Sequence, residues 1–353
     1  MDYDLALKAL IAIAPVLALL FVFDRLDAFN LISLRDILLL LAAGGAIAAL
    51  SYLANLSVLD GFPIGRSSYT RYVAPPIEES LKALPILLLF VLNRLGFKLD
   101  AAIAGFAVGA GFSVVENLYY LPTYGETNVS AWLVRGFGTA VMHGGSTALF
   151  AVISHEMTER QAETAAARYR FNPLLFAPGL ALAIVFHSAF NHFPDQPVAI
   201  MAITLLLVPM VLFFTFARSE RATQQWLTRD ADAHRQALAD IRDGRFADSD
   251  AGRALKSVVD RVHGAAAADA FAYLELKTEL VLRAEELIAA SQAGVAAEIG
   301  AEDADKFARL AELERRLGRT ALTAVNSRLP FTRNDLWELG RLRARVRKAT
   351  RAG

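Results

Sequence analysis

Apolar residues occur in long blocks over roughly the first two thirds of the chain, separated by short polar breaks. The blocks centre on residues 5–23, 37–59, 75–92, 99–121, 131–154, 174–193 and 198–217. A helix rises about 1.5 Å per residue, so about 20 apolar residues cross a hydrocarbon core. The pattern therefore predicts about seven membrane-spanning helices. The 5–23 block has no basic start and no small-residue cleavage site, and further spans follow it. It is expected to be retained rather than removed as a signal peptide.

From residue 218 onward the periodicity becomes that of amphipathic helices rich in alanine and arginine, broken around residues 243–249 and again near Pro330. Leu274, Leu280, Leu282, Leu287, Phe307, Leu310, Leu313 and Leu317 are the expected core of a small soluble bundle. The basic stretch 341–351 is expected to be a solvated helix face. The fold class that follows is all-α: a transmembrane bundle over residues 1–217 and a cytoplasmic helical domain over 218–353.

Composition narrows the chemistry. Hydrophobic residues make up 55% of the chain, an excess that lipid-facing helices explain. There is no cysteine, which excludes disulfides, iron–sulfur clusters, thiolate zinc sites and cysteine nucleophiles. The net charge of +0 conceals an uneven distribution, sparse before residue 217 and dense after it. The expected partners are the lipid bilayer and a membrane-anchored protein, with no nucleic acid, and nothing in the sequence fixes an oligomeric state.

Orientation follows from the basic loops. Arg94 and Lys98, then Arg160, Arg168 and Arg170, then Arg218 and Arg221 alternate with loops lacking Lys and Arg. This places the N-terminus outside an inner (plasma) membrane and the C-terminal domain in the cytoplasm, although Arg66 and Arg71 oppose the scheme.

Charged residues inside a membrane helix cost about 2.5 to 3.5 kcal/mol each even on a lenient scale, so each implies a partner or a task. Glu78, Glu79 and Lys82 lie in the third block, Glu116 and Asn117 in the fourth, Arg135 and His143 in the fifth, and His187 and Asn191 in the sixth. Helix direction alternates from span to span. Glu78 and Glu79 at the start of one helix, Glu116 near the end of the next and His187 with Asn191 at the end of another therefore share one half of the bilayer. His143 falls nearer the midplane. Glu78 and Glu79 are about 100° apart around their axis. One is expected to face the site while the other braces it through Lys82. Pro85 predicts a kink beside Lys82, and Gly105, Gly109, Gly111, Gly136, Gly138, Gly144 and Gly145 predict close helix packing.

Each of these residues also has a plainer reading. Glu78 and Glu79 behind Pro75 and Pro76 suit a helix first turn. Glu116 and Asn117 suit an interfacial pair beside Tyr119 and Tyr120, and the histidines suit interhelical hydrogen bonds. Their co-occurrence favours a site. His155 and His192 are expected at the interface, and His234 and His263 on a solvated surface. Ser146 and Ser188 lack the context of a serine nucleophile, and no HExxH is present.

Taken together the polar segments resemble the PrsW family of intramembrane proteases, within the larger group of CAAX-processing and bacteriocin-processing membrane proteases. Glu78, Glu79 and Lys82 match its EExxK motif, Phe112, Glu116 and Asn117 its FxxxEN motif, and His187 with Asn191 its HxxxN motif. His143 lies in a glycine-bordered span between them. The resemblance covers roughly residues 70–195. It implies a glutamic-type endopeptidase that cuts membrane-associated proteins such as anti-sigma factors. Glu78 or Glu79 would act as base, Glu116 and His143 would orient the water, and His187 with Asn191 would serve the oxyanion, with Lys82 and Asn117 in support. No metal cofactor is expected on this mechanism. Zn²⁺ held by the histidines and glutamates is the rival, and a non-catalytic scaffold or a proton-coupled transporter are the readings from other classes.

Overall fold

The structure is a computed structural model. It describes residues 32–124, 132–164, 172–193, 196–259, 267–292, 299–326 and 331–352, together with Val295 and short stretches before residue 22. Every regular element among the described residues is helical. The long helices are α1 (Leu34–Gly61), α2 (Ala74–Val91), α3 (Lys98–Tyr124), α4 (Ala140–Thr164), α5 (Ala177–Phe190), α6 (Pro197–Arg242), α7 (Asp250–Val259), α8 (Ala267–Gln292), α9 (Ala301–Asn326) and α10 (Arg333–Ala352). Contacts divide the chain into two compact units, one of residues 1–160 with 171–219, the other of 161–170 with 220–353.

In the first unit, five helical stretches are long and apolar enough to cross a membrane, against about seven expected. The shortfall has two sources. The 75–92 block does form α2, but Glu78, Glu79 and Lys82 within its 18 residues take it out of the purely apolar class. The 5–23 block is described only in short pieces, about half of it lying outside the described residues. Burial separates centre from periphery. The spans built on α3 and α4 are 78% and 83% buried, whereas those of α1, α5 and α6 are 22%, 22% and 17% buried. Leu38, Leu39, Leu53, Leu84, Leu88, Leu206, Phe213 and Phe214 stand exposed on the outer helices. In water such a surface would aggregate, so it is the face that meets lipid.

Local chemistry sets the helix entries. Ser33 caps α1 by accepting from the Asp36 N–H at 3.2 Å and donating its hydroxyl to the Asp36 carboxylate at 2.7 Å. Helix α2 is entered through a π-helical turn, Tyr69–Val73, and carries Pro75 and Pro76 in its first turn, where a missing N–H costs nothing, with Pro85 inside the helix. A second π-helical segment, Val134–Thr139, leads into α4. Such turns concentrate at functional sites, and here they precede the helices that carry Glu78, Glu79 and Lys82 and His143.

Glycines let the central helices touch through their backbones. A Cβ on Gly109 of α3 would stand 2.1 Å from the carbonyl oxygen of His143, and one on Gly111 would stand 1.9 Å from that of Leu41 in α1. No side chain fits at either point, so α3 is pressed between α1 and α4.

The second unit is a helical bundle. Leu274, Leu280, Leu287, Phe307, Leu310, Leu313 and Leu317 share its core with Tyr273, Ala321, Val325, Leu339 and Val346. Leu282 is buried as well. Gly318 holds φ 71°, a left-handed conformation that breaks α9 where a side chain would be strained. Thr332 and Asp335 cap α10 reciprocally: the Thr332 N–H donates to Asp335 at 2.6 Å and the Asp335 N–H to the Thr332 hydroxyl at 3.2 Å.

His234, expected on a solvated surface, is instead 7% exposed. Its Nδ1 donates to Glu285 Oε1 of α8 at 2.8 Å and its Nε2 lies 3.6 Å from Asp335 Oδ2 of α10. The helical period buried it, because Ala231 and His234, one turn apart, face the same core. His263 lies outside the described residues. Burial alone would lower the His234 pKa, but the hydrogen bonds and charges of Asp335 and Glu285 overcome it and raise it to about 10.

Two outcomes are expected. Gly109→Ala forces α3 and α4 apart and destabilises the membrane unit by about 1–3 kcal/mol or more, measured as a lower unfolding midpoint in detergent. Because the His234 pKa is raised on folding, its stabilisation is complete below about pH 6.5 and is lost as pH rises to about 10. Lys277, lowered to about 8, gives the opposite trend at the alkaline end. Melts of wild type and His234→Gln compared at pH 6.5, 8 and 10 isolate the histidine: the gap between them, about 3 kcal/mol at pH 6.5, closes with pH.

Candidate active site

Four membrane helices each deliver polar side chains to one enclosed cluster. Helix α2 supplies Glu78, Glu79 and Lys82, α3 supplies Glu116, α4 supplies His143 and Ser146, and α5 supplies His187. Glu78, Glu79, Lys82, His143, Ser146 and His187 are all buried, with Lys82 at 0% exposure. In an apolar interior such groups survive only by satisfying one another.

The pairings form one continuous line. Glu116 Oε2 lies 3.2 Å from His143 Nε2, and His143 Nδ1 lies 2.9 Å from the Lys82 ammonium. Lys82 Nζ donates to Glu79 Oε1 at 2.6 Å, and the same oxygen lies 2.7 Å from His187 Nδ1. His187 Nε2 then faces Glu78 Oε2 at 3.9 Å, too far for a direct hydrogen bond and the right span for an intervening water or ion. Since an ammonium can only donate, His143 accepts at Nδ1 and carries its proton on Nε2, directed at Glu116. His187 correspondingly donates from Nδ1 to Glu79 and leaves the Nε2 lone pair toward Glu78.

The brace on α2 is therefore Glu79, three residues from Lys82, and the carboxylate left facing the gap is Glu78. The imidazole of His187 is wide enough to meet both glutamates, one at each nitrogen, despite their divergence around the helix.

Arg135, from the π-helical segment before α4, closes the Glu116 end. Its NH2 lies 3.6 Å from Glu116 Oε2, and its Nε donates to Asn117 Oδ1 at 3.1 Å. Asn117 returns a bond from Nδ2 to the Arg135 carbonyl at 3.4 Å. Asn191 stands apart from the cluster: its Nδ2 donates to the Thr70 carbonyl at 2.9 Å, while Ser188 donates to the Arg71 carbonyl. Together these tie the end of α5 to the π-helical turn before α2. His155 is buried near Glu159, and His192 bonds Tyr72 at 2.9 Å.

Three contributors carried no weight in the sequence. Asn55 of α1 donates to Glu78 Oε1 at 3.2 Å, and the Tyr69 hydroxyl donates to Asn55 Oδ1 at 2.6 Å. Ser146 Oγ lies 3.2 Å from both oxygens of Glu79. Asn55 had a signal, a lone amide one turn beyond Ser51 in an otherwise apolar block. Tyr69 had none, because only folding brings its turn beneath α1.

A family model described as PrsW family intramembrane metalloprotease matches residues 34–217, just over half of the chain. The chain belongs to the PrsW family. It is an intramembrane protease, a hydrolase of the lipid bilayer whose substrates are membrane proteins. No curated protein and no solved structure gives a significant match. The match spans all four helices of the cluster and stops at Ala217, before the charge-rich remainder of the chain.

Membership corrects one expectation. The family is one of metalloproteases, so the expectation of no metal cofactor is overturned. The residues fit a metal. Glu78, His143 and His187, all buried, each have a potential ligand atom, and these atoms lie within 4.8 Å of one another; because His143 Nε2 carries its proton toward Glu116, that ring would ligate through Nδ1 in place of its bond to the Lys82 ammonium. Two imidazoles and a carboxylate are a catalytic zinc set that leaves a coordination position open. The charge balance agrees, because three carboxylates, Glu78, Glu79 and Glu116, face only two cations, Lys82 and Arg135. The sequence pointed to charge neutralisation within the cluster but not to this residual negative charge, which depends on which partners meet.

Asn55→Leu removes the hydrogen bond that orients Glu78 and takes from the Tyr69 hydroxyl its shorter acceptor, leaving the backbone carbonyl of residue 55 at 3.2 Å. It is expected to lower kcat by about 10- to 100-fold, with substrate KM nearly unchanged, in a cleavage assay on the reconstituted protease.

Proposed function

We propose that this PrsW-family protease cuts single-span, membrane-anchored proteins at a cation-assisted site in which Glu116 takes the proton from the attacking water. The convergence of Glu78, His143 and His187 within 4.8 Å carries the reading. These three would hold a divalent cation, which when bound supplies Lewis acidity to the scissile carbonyl. Glu79 fixes the ring of His187 through Nδ1 and is itself held by Lys82 and Ser146, a carboxylate–histidine arrangement that orients a ligand imidazole. Glu79 thus acts as a positioning residue.

Three features support Glu116 as the proton acceptor. Its side chain is 24% exposed, the most open carboxylate of the cluster, so water reaches it. It sits 3.2 Å from a nitrogen of His143, beside the ligand set rather than within it. The Arg135 guanidinium at 3.6 Å stabilises it as the anion that must accept a proton. The proton then passes to the leaving amine from the same carboxyl group. Asn117 keeps Arg135 in place, and Asn191 and Ser188 hold the entry turn of α2 against α5, which keeps Glu78 and His187 at their separation.

Single-span anti-sigma factors are the substrate class that fits the family resemblance. A plasma-membrane location with the extension after residue 217 in the cytoplasm follows from the Lys and Arg content of alternate loops.

The test uses the full chain in liposomes with a single-span peptide substrate and measures both cleavage and bound metal. A chelator abolishes cleavage and added Zn²⁺ restores it. Glu116→Gln lowers kcat by about 100-fold or more while metal content stays at the wild-type level. Glu78→Gln and His187→Ala lose metal and activity together. Full activity in Glu116→Gln overturns the base assignment, and metal retained in both ligand variants overturns the site.

A further inference from the structure

Away from the protease site, the soluble helical unit contains a cavity of about 420 Å³ between α8, α9 and α10. That volume falls in the range of pockets that enclose small organic ligands. Its wall holds a buried cation. Lys277 of α8 is 6% exposed, and its ammonium donates to two neutral oxygens, Asn326 Oδ1 at 2.9 Å and the Tyr273 hydroxyl at 3.2 Å. It also lies 5.1 Å from the centre of the Phe331 ring and 5.2 Å from that of Tyr273. Among the described residues no carboxylate stands within ion-pair distance of it. Buried lysines are ordinarily paired, so this ammonium lacks the counter-charge its position calls for.

The other two charges at the cavity cancel. Arg343 NH2 lies 3.8 Å from Glu314 Oε1, leaving one net positive charge, that of Lys277. Glu314 would repel a second negative charge on a ligand, which favours a monoanion over a phosphate dianion. The rest of the lining is apolar: Phe331 and Leu339 form the inner wall, and Leu336, 45% exposed, stands at the rim. A ligand suited to this cavity has one negative charge and a hydrocarbon body.

We propose that this cavity is a binding site for a small organic monocarboxylate, its carboxylate on the Lys277 ammonium and its apolar body along Phe331, Leu339 and Leu336. The site is separate from proteolysis and stands whether or not the cleavage mechanism does. The pKa of Lys277 supports it. Burial, partly opposed by the charge of Glu314, lowers it to about 8, as expected of a cation awaiting a partner. The other charged and titratable groups that face it are Arg343, Glu314, Asp335 and Tyr273, the last raised by burial to about 12. His234, behind Phe331, is raised to about 10.

Calorimetric titration of the full chain in lipid nanodiscs tests the site with 3-phenylpropionate and octanoate. The uncharged probe is 3-phenylpropionamide, and inorganic phosphate is the competing anion. Saturable, one-to-one binding of at least one carboxylate at pH 7 is expected, about tenfold weaker at pH 9 as Lys277 loses its proton. Lys277→Met removes the charge at similar length. Because it replaces an unpaired buried cation it folds at least as well as wild type, and it loses about tenfold or more in affinity. The proposal is overturned if neither carboxylate saturates, if the amide or phosphate binds as tightly, or if Lys277→Met or pH 9 leaves the affinity unchanged.

Discussion

The Lys82 to Glu79 contact, 2.6 Å long and wholly buried, is the interaction on which the membrane unit turns. Neither charge is tolerable alone at that depth, where water cannot offset the loss of hydration. The pair is not closed, however. Glu79 also receives Ser146 and His187, and Lys82 also meets His143. Three helices are thereby committed to a single geometry by the requirement that two charges be fully partnered. Helix α3 joins through Glu116, and the backbone contacts at Gly109 and Gly111 bring it close enough to do so. The π-helical turns before α2 and α4 carry the remaining links, Asn191 to Thr70 and Arg135 to Glu116, so the irregular backbone is itself part of the tether.

Much of this was legible in the sequence because cost was legible. A polar residue in an apolar block stands out, and eight of the nine singled out, Glu78, Glu79, Lys82, Glu116, Asn117, Arg135, His143 and His187, belong to one connected network of hydrogen bonds and ion pairs. Helix direction and rise were enough to place them in one layer. The exact partners were not legible. Glu78 stands four residues from Lys82 and Glu79 three, and periodicity does not distinguish the two; the side chain reaches Glu79. Asn191 shares a helix face with His187 by spacing, yet it is the C-cap of α5, where it donates to the Thr70 carbonyl of the neighbouring turn. Asn55 and Tyr69 became visible only when α1 and the turn after it were brought against α2.

The metal expectation failed for a related reason. Counting candidate ligands gave an adequate set, but the choice between a bare carboxylate mechanism and a cation depends on how many charges remain uncancelled once the helices pack. Lys82 and Arg135 each lie against one carboxylate of the cluster, and among the described residues Glu78 is hydrogen-bonded only to the neutral amide of Asn55. That leftover negative charge, next to the open nitrogen of His187, is what the proposed cation would balance.

The second unit resolves the same difficulty differently, and the contrast explains why its buried cations His234 and Lys277 are not equivalent. His234 lies against carboxylates at both nitrogens, and the resulting rise in its pKa makes it a structural clamp at neutral pH. Lys277 is equally enclosed but meets only an amide oxygen, a phenol and two aromatic faces, and its pKa falls instead. Aromatic faces and neutral acceptors offset part of the desolvation of an ammonium and not all of it. A fold that needed Lys277 only for stability would gain from any apolar side chain of its length. Keeping a charge there, beside a cavity whose other charges cancel, makes sense when something from solution completes the pair.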